Sequence, residues 1–109
     1  MGNIKKYQMK YMFDWGSGTC LWSTNDAAIE KYDYPVDIKD LPISEDLRNY
    51  LDYLIDKHDE ALNWDDPADD LLWTEEQQKM FTEKALKGYE RLCDELKDEY
   101  EIALFHSMI

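Results

Sequence analysis

Four aspartates fall within six positions of the segment LNWDDPADDLLW, residues 62–73. Clustered carboxylates can bind Ca²⁺, and an EF-hand loop that began at Asp65 would have Glu76 at its last ligand position. The same register places Pro67 where a ligand is needed and Asp70 where the sharp turn needs glycine. We therefore predict no metal site here, and two alternatives stay open, an acidic link between helices and a recognition surface.

The other residues that could do chemistry lack the spacing that catalysis requires. His58 lies on the apolar side of a predicted helix, where a core role is favoured over a role as metal ligand or general base. His106 is far from His58 in the sequence, and no metal-binding motif joins the two histidines. A nucleophile elbow and a phosphate-binding loop both lead into a helix. The segment GSGTC is predicted to lead into a strand, so it is interpreted as a hairpin turn. We expect no cofactor and no enzymatic activity. The alternative is an enzyme or small-ligand binder with a pocket between the aromatic sheet face and the helices.

Acidic residues are concentrated in the middle of the chain. The net charge is −13, from 25 acidic and 12 basic residues, and seventeen of the acidic but only four of the basic residues lie between positions 25 and 76. A field of this sign repels nucleic acid and anionic membranes and attracts basic protein surfaces. We expect neither a nucleic-acid nor a membrane partner. Because no signal peptide or membrane span is recognisable, we expect a cytoplasmic location.

Length and composition predict one domain over residues 1–109. The chain is 44% hydrophobic and 14% aromatic, which is too rich in core-forming residues for a disordered acidic protein. Residues 1–8 are a candidate flexible or non-native extension, because Met9 could itself begin the chain. Cys20 and Cys93 are expected to be free thiols in a chain with no export signal.

Alternating apolar residues predict strands near both ends of the chain. Residues 7–13 alternate with an aromatic inner face, and two glycines separate them from 19–23, so these two segments are predicted to form a hairpin. The segment EIALFH near the C-terminus is predicted to add a third strand. Ser23 and Asp26 have capping-box spacing ahead of a short helix near 26–32.

Two longer helices are predicted between these strands. Ser44 is expected to cap one that runs to about Asn63, and Thr74 to cap one over 75–100, with a bend or a close contact at Gly88. The predicted fold is therefore a small α+β domain of order β-β-α-α-α-β, with a three-stranded antiparallel sheet packed against helices.

The outward face of the helix that follows Ser44 carries acids with little basic compensation. Like charges four residues apart destabilise a helix, so an acidic face has a cost in stability. Selection for binding a basic partner would explain why the face is retained. The competing explanation is that the charges only keep the protein soluble. The adjacent tryptophans are candidate apolar anchors. The predicted partner-binding residues are Asp52, Asp56, Asp59, Glu60, Trp64, Asp65, Asp66, Asp69, Asp70 and Trp73.

A small, acidic, aromatic-rich chain without catalytic motifs resembles, in general character, bacterial toxin-immunity proteins and phage anti-defence inhibitors. This resemblance implies a non-enzymatic protein-binding module that occludes a basic surface on a toxin or nucleic-acid-binding protein. The further alternative is a subunit of a larger assembly. The sequence leaves the oligomeric state open.

Overall fold

The computed structural model describes residues 5–62, 65 and 72–104. The α+β class and the order β-β-α-α-α-β predicted from the sequence are confirmed. The elements of the domain, in chain order, are β1 (Tyr7–Tyr11), β2 (Leu21–Ser23), α1 (Asp26–Tyr32), a short 3₁₀ turn (Ile38–Asp40), α2 (Glu45–Glu60), α3 (Glu75–Glu95) and β3 (Tyr100–Leu104).

β1 is the central strand of the sheet. β2 pairs with it antiparallel, with Tyr11 opposite Leu21, whereas β3 pairs with it parallel, with Tyr11 opposite Leu104. The predicted antiparallel pairing therefore holds for the hairpin, but the three-stranded sheet is mixed. The connections explain this direction. The β1–β2 hairpin reverses the chain, and the helices then return it to the end of the sheet that it left, because the end of β2 and the start of β3 both lie beside the start of β1. β3 therefore runs opposite to β2 and parallel to β1.

The inner face of the sheet follows the predicted alternation. Tyr7, Met9, Tyr11 and Phe13 are all buried. Trp15, two residues after Phe13, lies beyond the end of β1 and stacks on His58 of α2. The hairpin turn thus carries its aromatic residue to the helix layer.

The N-cap of α1 differs from the prediction. Asn25 caps this helix, and its Oδ1 accepts hydrogen bonds from the backbone N–H groups of Ala28, at 3.0 Å, and Gln8, at 3.1 Å. Ser23 belongs to β2 instead, where its hydroxyl donates to the carbonyl of Asp33 at 2.7 Å. Ser23 pairs with β1, and the backbone N–H of Thr24 still donates to the carbonyl of Gln8 at 2.8 Å, so the helix begins only after Asn25.

α2 and α3 pack against each other, and both are shorter than predicted. α2 ends at Glu60 rather than near Asn63, and α3 ends at Glu95 rather than at residue 100. At one end of the pair, both carboxylate oxygens of Glu95 accept from Ser44, one from its backbone N–H at 2.6 Å and one from its hydroxyl at 2.8 Å. Among the described residues, no helix is long and apolar enough to cross a membrane.

Gly88 makes the close contact that the length of α3 suggested. A Cβ at this position would lie 3.1 Å from the hydroxyl oxygen of Tyr11 and 3.3 Å from side-chain carbons of Leu51 and Leu54. α3 therefore lies close to the sheet face and to α2, and glycine is the residue that permits this approach.

Candidate functional site

Three of the predicted acidic residues form a single row on α2. Asp52, Asp56 and Asp59 are spaced four and three residues apart, so they lie on one flank of the helix, and we call them the acidic stripe. Asp52 and Asp56 are exposed, and neither has an ion pair with another described residue. Two adjacent carboxylates without cations between them give this flank a strongly negative potential.

The hairpin turn is attached beside the stripe. The backbone N–H of Gly16 donates to Oδ1 of Asp59 at 3.0 Å, and the indole Nε1 of Trp15 donates to the carbonyl oxygen of His58 at 2.8 Å. Gly16 has φ 78°, a conformation that suits glycine in such a turn. Two hydrogen bonds therefore fix the β1–β2 turn against the last turns of α2, and sequence patterns gave no signal of this contact.

A groove runs along the other end of the stripe. Its volume is about 440 Å³, and Asp52 lines it together with the turn residues Ser17 to Thr19 and the segment 35–39. Asp37 and Lys39 are the other charged residues on its walls. The stripe therefore borders a concave surface, which could receive a projecting side chain of a partner.

Glu60 lies one helical turn beyond Asp56 at the end of α2, and together with Trp73 it faces α3. Both line a cleft between α2 and α3 of about 280 Å³, and Glu60 forms an ion pair with Lys57 at 3.5 Å. Trp73 is half-buried, and its ring centroid lies 5.2 Å from that of Phe81. Trp73 thus packs on the core with one side and lines a surface cleft with the other.

The remaining predicted residues fall in or near the loop between α2 and α3. Asp65 is exposed just beyond the end of α2. Trp64, Asp66, Asp69 and Asp70 lie outside the described residues, so their part in a binding surface stays a prediction. Within the residues that the structure describes, no group of three or more histidine, cysteine or acidic side chains is arranged to hold a metal ion.

His58 is a core residue enclosed by aromatic rings. Its ring stacks on Trp15, with centroids 4.7 Å apart and an interplanar angle of 13°, and lies 5.5 Å from Phe13 and 5.6 Å from Phe81. The side chain is 2% exposed. Aromatic contacts of this kind stabilise the packing between the hairpin and the helices.

The interior between the sheet face and the helices is filled with side chains. Tyr11, Leu51, Leu54 and Leu92 are fully buried there, and Tyr11 donates a hydrogen bond to the carbonyl oxygen of Ala85 at 2.8 Å. Cys20 is also buried and Cys93 is half-buried, and both are free thiols. Burial raises the pKa of the Cys20 thiol well above its ordinary range, which makes this group a poor nucleophile.

A comparison with protein families relates this chain to immunity proteins, the class of protein that binds and neutralises a toxin. The matching family is the Serratia CdiI immunity protein-like family, whose pattern covers residues 7–107, and the chain belongs to this family. A search of curated proteins found no match. The family implies a toxin protein as the binding partner.

Proposed function

We propose that this chain is a non-enzymatic immunity protein that binds a toxin domain through the acidic stripe and masks a basic surface on it. The observation that carries the proposal is the row of Asp52, Asp56 and Asp59, two of which are exposed without an ion pair among the described residues. Membership of an immunity protein-like family supports the class of partner.

Basic residues are the chemistry that this flank would recognise. A partner surface rich in lysine and arginine is attracted over long distances, and on binding its cations supply the charge partners that Asp52 and Asp56 lack among the described residues. The groove beside Asp52 adds shape complementarity to charge complementarity. One basic side chain of the partner can enter it between the hairpin turn and the segment 35–39. A toxin that acts on nucleic acid would present such a basic surface, and covering it blocks access to the substrate.

The experiment is affinity capture from the source cell with the tagged protein, at low salt and again at high salt. We expect capture of a basic protein at low salt and its release at high salt, because the Debye length falls from about 30 Å at 0.01 M to about 3 Å at 1 M ionic strength. Capture of an acidic protein, or capture that high salt does not weaken, would contradict the proposed mode of binding.

The surface assignment has its own test. Reversing the charge of Asp52, Asp56 and Asp59 together should abolish capture while the fold stays intact by circular dichroism. Because Asp59 also accepts a hydrogen bond from Gly16, the variant Asp52→Lys/Asp56→Lys separates loss of charge from loss of that contact. Unchanged capture by both folded variants would rule out the acidic stripe as the binding surface.

A further inference from the structure

The surface between α2 and α3 has the opposite charge to the acidic stripe. Two adjoining cavities of about 280 and 620 Å³ lie between α2 and α3, and both are lined by Tyr53 and Lys84. We call the surface that they form the α2–α3 cleft. Its charged lining residues are Lys57, Lys84, Lys87, Glu60 and Glu83. In a protein of net charge −13, three lysines against two glutamates make this a locally cationic surface.

Tyr53 lines both cavities and has two lysines close to its ring. The Lys57 ammonium lies 5.7 Å from the centroid of its ring and the Lys84 ammonium 5.5 Å, distances at which cations interact with an aromatic ring. Lys84 also donates a hydrogen bond to the Tyr53 hydroxyl at 3.3 Å. These contacts hold two ammonium groups near one another at the rim of the cleft, although like charges repel.

Apolar side chains form the base of the cleft and part of its walls. Phe81 and Leu54 are buried at its base, and Trp73 is half-buried. Tyr53 and Met80 are 41% and 50% exposed, which is high for large apolar side chains. Aromatic residues and methionine are enriched in protein interfaces, where a partner side chain excludes the water that now covers them.

We propose that the α2–α3 cleft is a second docking surface, which binds an acidic segment of a partner protein that carries an apolar anchor. Charge complementarity selects this occupant: carboxylates meet the lysines of the rim, and the apolar side chain covers Trp73 and Met80 on the walls. The structure gives Lys84 and Lys87 no ion pair with another described residue, so both ammonium groups are available to carboxylates. This surface is distinct from the acidic stripe, which is proposed to bind a basic surface of the toxin.

The test is an NMR titration of the ¹⁵N-labelled protein with a short synthetic peptide in which glutamates flank one phenylalanine. We expect the peptide to shift the amide signals of Tyr50, Tyr53, Met80 and Lys84. A peptide with glutamine in place of each glutamate should bind at least about tenfold more weakly, since roughly 1.4 kcal/mol of charge interaction corresponds to that factor.

The matched variants are Lys84→Glu/Lys87→Glu and, as a control of the same net charge, Lys39→Glu/Lys97→Glu. All four lysines are exposed, so both variants should fold. The first should lose binding of the glutamate peptide, and the control should keep it. No shifts in the cleft, equal binding of the glutamine peptide, or equal losses in both variants would overturn the proposal.

Two other occupants give distinct results. If a lysine-containing version of the peptide shifts the cleft signals more than the glutamate peptide does, the charge assignment is wrong. Concentration-dependent self-association in sedimentation equilibrium that Lys84→Glu/Lys87→Glu removes would show that a second copy fills the cleft, and this too would overturn the proposal. None of these readouts requires the toxin, so they are independent of the proposed immunity function.

Discussion

At the scale of residues, Gly88 allows α3 to approach Tyr11 of the sheet closely. The hydroxyl of Tyr11 donates to the carbonyl of Ala85 and lies 3.1 Å from the position of a Cβ on residue 88. Alanine at this position would improve helix propensity by about 1 kcal/mol but would push against three side chains, and overpacking of this kind typically costs 1–3 kcal/mol.

We therefore expect Gly88→Ala to lower the free energy of unfolding by about 1 kcal/mol in urea denaturation. Tyr11→Phe removes the oxygen nearest the new methyl group, so Gly88→Ala should cost less in the Tyr11→Phe background, with a coupling of about 0.5–1 kcal/mol. The adjacent exposed substitution Lys87→Ala is the control and should be nearly neutral. Additive effects of the two core substitutions would mean that the hydroxyl does not set this contact.

Buried tyrosine and cysteine groups make the stability depend on alkaline pH. Burial raises the pKa of the Tyr11 hydroxyl above its ordinary value of 10.0 and that of the Cys20 thiol above 9.0. Above these ordinary values the unfolded chain releases protons that the folded chain retains, so the free energy of unfolding falls as pH rises. Below them, these groups leave stability unchanged.

We expect the free energy of unfolding to be unaffected by these groups up to about pH 8. Beyond about pH 9 it should fall by roughly 1.4 kcal/mol per pH unit for each group that ionises only in the unfolded chain. Tyr11→Phe removes one of these ionising groups, so the free energy of unfolding should fall less steeply with pH in this variant. Tyr34→Phe, which changes an exposed hydroxyl, should leave the slope unchanged. Urea midpoints measured from pH 7 to 11 provide the comparison, and an unaltered slope in Tyr11→Phe would contradict this account.

At the scale of elements, Asn25 joins α1 to β1. Its Oδ1 accepts from Ala28 of the helix and from Gln8 of the strand, and its Nδ2 donates to the carbonyl of Lys6 at 3.1 Å. Asn25→Ala removes all three bonds and should cost about 1–2 kcal/mol of unfolding free energy. Asn25→Asp keeps the acceptor oxygen and should cost less than half as much by thermal or urea unfolding. Equal losses in the two variants would show that the cap contributes nothing.

Sequence patterns predicted the elements well where local chemistry decides them. Ser44 and Thr74 cap the two long helices as predicted, because a hydroxyl that can accept from the third residue of a helix is a local signal. The direction of β3 relative to β1 depends instead on where the helical crossover returns the chain. No pattern within the strand records this, and β3 runs parallel to β1.

The relative positions of the candidate residues were predictable only along a single helix. The spacing of Asp52, Asp56 and Asp59 placed them on one flank correctly. Glu60 and Trp73 are predicted to belong to the same binding surface, and the structure shows that both line the α2–α3 cleft, where Glu60 pairs with Lys57. The packing of α3 against α2 creates this cleft, and lysines that are far apart in the sequence meet there. Helical periodicity in one segment cannot report such a meeting.

At the scale of the whole molecule, α2 lies between two surfaces of opposite charge, the acidic stripe and the α2–α3 cleft, whose excess lysines come from α3. The acidic stripe and the cationic cleft together would orient a partner that carries a basic surface and an acidic segment, because the reversed orientation brings like charges together. Such complementarity acts mainly on the rate of association and on specificity.

We therefore expect the association rate of the captured partner to fall by about an order of magnitude from low to physiological salt, with a much smaller change in the dissociation rate. Stopped-flow kinetics or surface-based binding measurements at several salt concentrations would show this. The variant Asp52→Lys/Asp56→Lys should have a shallower dependence. A dissociation rate that carries most of the salt effect would indicate that the charges do not steer the encounter.

The most direct test of the central claim is the dissociation constant of the captured partner for two variants of equal net charge. Asp52→Lys/Asp56→Lys changes the acidic stripe, and Glu30→Lys/Glu101→Lys changes exposed acids on α1 and β3. If the stripe is the binding surface, the first variant should bind at least about 100-fold more weakly, which corresponds to roughly 2.7 kcal/mol, and the second should stay within about threefold of the unmodified protein. Equal weakening in both variants, or none in the first, would contradict it.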